Sequence, residues 1–368
     1  MILVVGAGIS GSTIAYKFAV AGKEVLVIDK RDHLGGNCYD FINEYGLIIS
    51  KYGPHFFHTN DKGVWDFINQ FSEWLPYEHR VLSFVDNKLV PIPVNITTVN
   101  ELFNLNIKNE KEMKEWLEAN TEKIENPKNS EESAIARVGR VLYEKMFKNY
   151  TKKQWDLYPH ELDPQVMNRI PVRTNFDDRY FTDTYQAVPK NGFTAFFNNL
   201  LTHRNIHIEL GVDYFKSKYK NRLADFEMVF FTGKIDQFFE NIINEKLQYR
   251  SLKFIFENHN LDYYQSRATI NYPNDYEYTR ITEPKHIPGQ PSAKGHTAII
   301  KEIPTWDGEP YYPVFNQRNN EIYSKYQKLA KDAEKSNIFF VGRLANYKYF
   351  NMDAAFRNAI DIADVLLK

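Results

Sequence analysis

The chain opens with Ile2-Leu3-Val4-Val5 running directly into Gly6-Ala7-Gly8-Ile9-Ser10-Gly11, and a second apolar run, Val25-Leu26-Val27-Ile28, ends on Asp29. Read in order this is a strand, a glycine-rich turn, a helix, a second strand and an acid, the arrangement that binds a dinucleotide. Gly6 permits the tight turn, Gly8 lets a pyrophosphate reach backbone N–H groups, and Gly11 lets the helix close onto the strand. Asp29 follows Gly11 by 18 positions, near the ~20 expected of an acid that accepts from ribose hydroxyls. The glycine pattern alone is weak. Here a strand pattern precedes it and an amphipathic segment ending at Gly22 follows it, so an α/β fold with a parallel sheet is expected.

Residues 2–20 are apolar enough to be weighed as a secretory signal or an anchor. Three glycines interrupt them, Lys17 lies among them and no basic segment precedes them, so the expectation is a soluble, cytoplasmic chain with no membrane insertion. Cys38 is the single cysteine. It cannot form an internal disulfide, it agrees with a reducing compartment, and it leaves no thiolate metal cluster to expect. A net charge of −1 without a long basic block argues against a nucleic-acid surface.

A chain of 368 residues exceeds the ~250 to 300 at which single cores stop growing, so two or three units are expected. Residues 1–75 alternate strand and helix. Residues 80–85 and 88–91 read as a hairpin turning at Asp86-Asn87. From 97 to 161 the pattern is helical and polar, and Asn129 with Glu132 forms a capping pair for a helix whose apolar face is Ile135, Val138, Leu142 and Met146. Residues 170–190 return to strand alternation and belong with the strand-rich stretch 249–303. Short strands at 206–210 and 228–232 look α/β again, which makes the nucleotide domain discontinuous.

The last forty residues bear on the cofactor. A strand at 338–341, the Gly342-Arg343 loop and a helix carrying Ala354, Ala355, Ala359 and Ala363 suit a flavin domain, because a helix N-terminus near Met352-Asp353 would direct partial positive charge at the flavin pyrimidine and favour its anionic reduced form. The second glycine pair, in Gly35-Gly36-Asn37, is another close backbone approach, and a nicotinamide-only site has no evident use for it. The 27 Phe, 24 Tyr and 5 Trp are mostly packing, yet so many tyrosines also suit a cleft that meets flat rings and hydroxyl-rich ligands.

Arg31-x-His33-x-Gly35-Gly36-Asn37, Tyr52-Gly53-Pro54-His55-Phe56-Phe57-His58-Thr59, Asn149-Tyr150-Thr151-Lys152-Lys153-Gln154-Trp155, Arg169-Ile170-Pro171-Val172-Arg173, Asp177-Asp178-Arg179-Tyr180-Phe181, Tyr278-Thr279-Arg280 and Tyr311-Tyr312-Pro313 occur in the order in which they stand in bacterial UDP-galactopyranose mutases. The chain resembles that family over nearly its whole length. The resemblance implies an FAD-binding Rossmann-like domain (1–76, 188–246 and 328–368), an inserted helical domain (92–162) and a twisted antiparallel β-sheet domain (77–91, 163–187 and 247–327), with a homodimer. It also implies interconversion of UDP-galactopyranose and UDP-galactofuranose without net redox change, through attack of N5 of reduced FAD on the sugar C1. Such an enzyme needs an external flavin reductant and supplies furanose for cell-surface polysaccharide.

The residue types make sense of that chemistry. Arg169 and Arg280 match the family's diphosphate-binding arginines, whose guanidinium forks suit phosphate oxygens and would stabilise the departing UDP. Without the resemblance, ordinary ion pairs (Arg169 with Glu161, Arg280 with Glu283) read equally well, and Arg173 reads as a structural partner of Asp177 and Asp178. Tyr150 and Trp155 match residues that hold the uridine, and Phe147 lies beside them. Tyr180, Tyr312 and Tyr349 match tyrosines on the phosphate and sugar side, where phenol hydroxyls reach oxygen without adding charge. His58 matches a histidine beside the flavin. For the flavin itself the resemblance implies Gly6, Gly8, Gly11, Asp29, Gly36, Asn37, Val212, Arg343 and Met352.

Three positions depart from the family pattern: His79 stands where asparagine is usual, Asn351 where aspartate is usual, and Met146 where phenylalanine lies near the uridine. His79 and Asn351 leave UDP-arabinopyranose, TDP-fucopyranose and UDP-N-acetylgalactosamine open beside UDP-galactopyranose. Two readings from other classes stand further off: an amine-oxidase-like redox flavoenzyme, which its substrate would reduce, and a silent sugar-nucleotide-binding protein.

Overall fold

The structure is a computed structural model that describes residues 1–168 and 171–368. Its first sheet is parallel and five-stranded, in the order Ile206–Leu210, Val25–Asp29, Ile2–Val5, Met228–Phe231, Ile338–Phe340. The two opening strands are buried at every position, which explains their unbroken apolar sequences: helices and loops cover both faces of a parallel sheet. On one face the helix Ile9–Val20 packs with the terminal helix Met352–Leu366, through Ile14, Ala15 and Phe18 on the first and Ala359 and Ala363 on the second. Small residues one turn apart on one stripe let the two helices lie close. The other face carries Leu3, Val5, Val229, Phe231, Phe340 and Tyr326 of the helix Gln317–Ala333.

The second sheet has seven strands, in the order Tyr312–Pro313, Tyr249–His259, Thr297–Thr305, Arg280–Thr282, Thr269–Asn271, Val81–Val85, Lys88–Ile92. All its pairings are antiparallel except Thr269–Asn271 with Val81–Val85, which run parallel. The hairpin turns at Asp86 and Asn87, both at positive φ (51° and 60°), the two-residue geometry that matches strand twist. Register matters more here than strand count. Arg280 stands opposite Asn271 on one side and Glu302 on the other, so these three side chains share one face.

Two expectations differ from the structure. Residues 171–184 are loop, with two isolated β-bridges, Val94 to Val172 and Arg80 to Arg179, and the strand begins at Tyr185–Pro189. That strand joins Phe57–Thr59 and Trp74–Pro76 in a separate three-stranded sheet. From the loop Val172 and Tyr180 pack against the core of the helical segment, while Phe176 is exposed. The helix capped by Asn129, whose side chain accepts from Glu132 N and whose amide meets Glu132 Oε1, runs only over Ser130–Val138. Ile135, Val138, Leu142 and Met146 are all buried, but Gly139 breaks the helix at φ +81°, where a Cβ would lie 2.2 Å from the Asn120 carbonyl oxygen. Helix resumes at Arg140–Leu142, widens to a π-turn over Tyr143–Lys148 and ends as Asn149–Trp155. The π-turn shifts the phase of this last segment.

Candidate active site

Two cavities meet inside the molecule. The first, about 320 Å³, runs along the C-terminal ends of the parallel strands, from Asp29 past the glycine turn to the N-terminus of the last helix. The second, about 690 Å³, lies between the Asn149–Trp155 helix, the seven-stranded sheet and the 171–183 loop. His55, Arg343, Asn351 and Met352 line both.

The first cavity is built of backbone. Gly8 is the N-cap of Ile9–Val20 and no side chain caps that end, so the helix offers its N–H groups and partial positive charge to an anion. Gly8 and Gly36 pack so closely that a Cβ on Gly36 would lie 2.9 Å from the Gly8 Cα. Asp29 accepts from Ala7 N at 2.7 Å and Arg31 N at 2.9 Å, which ties the turn to the second strand and aims the carboxylate along the cavity. Asn37 accepts from Arg31 Nη1 at 2.9 Å. At the far end Arg343 donates to the carbonyls of Phe350 and Tyr311 and lies over the rings of Tyr312 and Tyr349. Every residue expected to hold the dinucleotide (Gly6, Gly8, Gly11, Asp29, Gly36, Asn37, Val212, Arg343, Met352) lines this cavity.

The second cavity centres on Arg280. Its Nη2 donates to the Tyr150 hydroxyl at 2.8 Å, and its Nε lies 3.6 Å from Glu302 Oε2. Burial opposes the charge, yet Tyr150 and Glu302 hold the guanidinium well above its ordinary range. Burial pushes the Glu302 carboxyl up, and Arg280 holds it back. A third of the Arg280 side chain is exposed (31%), and it faces the cavity. Tyr312 stacks on Tyr349 with ring centroids 5.9 Å apart and meets Trp155 edge-on at 6.2 Å; burial pushes the Tyr312 phenol up, so it stays protonated. His58 Nδ1 lies 3.0 Å from Asp183 Oδ2 and its ring stacks on Phe181. The carboxylate fixes the proton on Nδ1 and leaves Nε2 on the other edge. The expected residues His58, His79, Tyr150, Trp155, Tyr180, Arg280, Tyr312, Tyr349 and Asn351 all line this cavity.

Three expectations take another form. Phe147, on the π-turn with Met146, is buried in the core cluster of the helical segment that also holds Val81, Val85 and Val99, and it does not line the cavity. Arg169 lies outside the described residues. Arg173 pairs with Asp177 as a structural partner, but at 3.9 Å; its hydrogen bonds go to the carbonyls of Asp177 and Arg179, and the Asp177 carboxylate is held closer, at 2.9 Å, by Arg179. Arg173 braces the loop that presents Tyr180.

Sequence reasoning gave no role to four further residues. Asn271 lines the cavity beside Arg280, is buried, and its Oδ1 has no hydrogen-bond partner. Glu302 backs Arg280 at 3.6 Å, Asp183 lines the cavity beside His58 at 3.0 Å, and Gln154 lines the wall with Tyr150 and Trp155. His55 was visible in the Tyr-Gly-Pro-His string; its Nδ1 lies 2.9 Å from the Gly53 carbonyl, which can only accept, so that nitrogen carries the proton.

The buried histidines give a pH prediction. Burial, helped by Arg280 and His58, pushes His79 down to about 3, and burial with Arg343 takes His55 to about 4. Both rings are neutral in the fold, whereas in the unfolded chain they titrate near 6.5. Below that pH the unfolded state binds more protons, so stability falls as pH drops, by about 2 kcal/mol per ring at pH 5. His79→Asn should flatten that decline; urea midpoints at pH 7 and pH 5 check it.

The fold and site thus define a dinucleotide-binding α/β protein whose second cavity presents a partly buried arginine among tyrosines, a setting that suits an anionic ligand. The family model for UDP-galactopyranose mutase matches residues 145–349, and one for the NAD(P)-binding Rossmann-like domain matches residues 4–71. An Escherichia coli protein named dTDP-fucopyranose mutase is 37% identical over 100% of this chain and 98% of its own. A Klebsiella pneumoniae protein named "Probable UDP-galactopyranose mutase" is 38% identical over 100% of this chain and 94% of its own. A crystal structure of reduced UDP-galactopyranose mutase superposes with a TM-score of 0.78 at 18% identity, over 100% of this chain and 95% of that one. The chain belongs to the UDP-galactopyranose mutase family, and it is an enzyme of the isomerase class. Among the described residues no helix is long and apolar enough to cross a membrane, and no group of His, Cys, Asp and Glu could hold a metal ion.

Proposed function

We propose that this protein interconverts the pyranose and furanose forms of galactose on UDP, using reduced FAD in the first cavity and the sugar nucleotide in the second. The observation that carries this reading is the junction at His55, Arg343, Asn351 and Met352, which lets a group in one cavity reach a ligand in the other. The first cavity fits a flavin dinucleotide: the Gly8–Gly36 approach leaves room only for bare backbone, as a pyrophosphate requires. The uncapped N-terminus of Met352–Leu366 lies at the far end, where it favours negative charge on a flavin ring. What FAD supplies there, when bound and reduced, is N5 as the nucleophile at the sugar C1.

The chain's own residues hold, shield and stabilise. Tyr150 and Trp155 hold the uridine against the Asn149–Trp155 helix. Arg280, with Arg169, neutralises the charge that gathers on the diphosphate as its bond to C1 breaks, and holds UDP for return after the sugar recloses through its other hydroxyl. Tyr180, Tyr312 and Tyr349 donate hydroxyls to phosphate and sugar oxygens, and His58 and a neutral His79 face the sugar. With no net redox change, an external reductant keeps the flavin reduced, and the furanose product serves cell-surface polysaccharide. The protein acts as a cytoplasmic homodimer.

A second reading keeps the chemistry and changes the sugar. The 37% identical relative is named dTDP-fucopyranose mutase, and His79 lies in a wall shared with Phe56, Val81 and Phe181, an apolar surround that suits a 6-deoxy sugar. Anaerobic incubation of dithionite-reduced protein with UDP-galactopyranose, dTDP-fucopyranose, UDP-arabinopyranose and UDP-N-acetylgalactosamine, with products resolved by chromatography, decides between them. Furanose from UDP-galactopyranose and inactivity of the oxidised protein are expected. Conversion of dTDP-fucopyranose alone establishes the second reading. No conversion, or bleaching of oxidised flavin by substrate, overturns both.

A further inference from the structure

Lys153 lines neither cavity. Its side chain leaves the Asn149–Trp155 helix and enters the loop 272–279, which joins Thr269–Asn271 to Arg280–Thr282. There Nζ donates to the carbonyl oxygens of Tyr276 at 2.9 Å and Tyr278 at 3.1 Å, to that of Tyr272, and lies 3.5 Å from that of Asn274. An ammonium has three donors, so this one is fully used on main chain. Burial pulls its pKa down to about 8, and Asp275 opposes the fall; at neutral pH it is a cation held by carbonyl dipoles.

The two elements so joined carry opposite walls of the second cavity. Tyr150, Gln154 and Trp155 lie on the helix, and Asn271 and Arg280 lie at the two ends of the loop. The Arg280–Tyr150 hydrogen bond of 2.8 Å spans that seam. From the other side Arg250, 2% exposed, donates to the carbonyls of Gln154 at 2.9 Å and Lys153 at 3.2 Å, seating the end of the helix on the strand Tyr249–His259. The loop has two other ties to the helical side, Asn149 Nδ2 to Asn274 Oδ1 at 2.9 Å and Asn274 Nδ2 to the Lys145 carbonyl at 3.0 Å.

We propose that Lys153 is a positioning residue for the reaction: by gathering the loop carbonyls it holds Arg280 and Tyr150 in register to receive a nucleoside diphosphate. The proposal rests on the reading that those two residues bind the nucleotide.

The test uses the flavin-bound protein with UDP as probe, by calorimetry, together with KM and kcat on the converted sugar nucleotide. Lys153→Met keeps the stem and removes the donors; it should weaken UDP binding about tenfold or more and raise KM, with flavin absorbance unchanged. Lys153→Arg should recover most of the affinity. In an Arg280→Ala background Lys153→Met should add little, because the residue it positions is gone. Asn274→Ala, which removes that loop's side-chain ties to Asn149 and Lys145 and leaves the Lys153 ammonium in place, should shift UDP affinity in the same direction and keeps the proposal testable if Lys153→Met does not fold. Unchanged UDP affinity in Lys153→Met or Asn274→Ala overturns it, as does an undiminished effect in the Arg280→Ala background. If the wild-type protein itself fails to bind UDP, the functional reading falls and this one with it; if the wild type binds and converts while Lys153→Met behaves identically, only the positioning role falls.

Discussion

Arg280→Ala is expected to lower turnover about a thousandfold or more while the protein keeps its flavin. Arg280 lines the second cavity and not the first, so cofactor binding has no reason to change. In the second cavity the guanidinium is a partly buried cation that faces Tyr150, Tyr312 and Tyr180, and a fixed cation opposite a departing diphosphate is worth more in such a setting than in water. The fold should survive, because Glu302, left without its partner, already has its carboxyl pushed up by burial and can take a proton instead of standing as a bare charge. Lys in place of Arg keeps the charge but loses the fork and should fall between the two. Absorbance of the purified variant reports flavin, and anaerobic turnover reports chemistry. Near-normal turnover in a flavin-bound Arg280→Ala protein would sink the assignment of Arg280 to the leaving group.

Where sequence signalled the site, it did so through residues whose neighbours in the chain are also neighbours in space. The glycine turn and Asp29 meet across adjacent strands, Ile2–Val5 and Val25–Asp29, so spacing alone is informative. Asn271 and Glu302 reach Arg280 through strand register, and register across three separated strands leaves no mark in any short window. Asp183 reaches His58, 125 positions distant, from the loop just before Tyr185–Pro189, the strand that pairs with Phe57–Thr59. Phe147 shows the converse: expected at the substrate, it lies on the π-turn and is buried in the core of the helical segment. The 171–184 segment, expected as strand, is a loop in which Arg173 holds the Asp177 and Arg179 carbonyls, contacts invisible to periodicity.

Gly11→Ala is expected to empty the protein of flavin and to cost about 3 kcal/mol or more of stability. A Cβ on Gly11 would lie 1.8 Å from the Gly6 carbonyl oxygen and 3.1 Å from Val4 Cγ1. The obstacle is main chain that cannot step aside: Gly6 N donates to the Ile28 carbonyl at 2.8 Å, and the strand Ile2–Val5 is paired on both sides. The helix Ile9–Val20 must therefore lift, and its uncapped N-terminus, with Gly8 at its tip, would move off the position from which it meets a pyrophosphate. Gly22→Ala is the control, since Gly22 has φ +86° but nothing within 4 Å of a Cβ; it should cost only the backbone strain, about 1 kcal/mol, and keep the flavin. Flavin retained after dialysis, with urea midpoints of the flavin-free proteins, separates the two effects. If Gly11→Ala holds flavin as well as Gly22→Ala does, the close approach of helix and strand is not what builds the cofactor site.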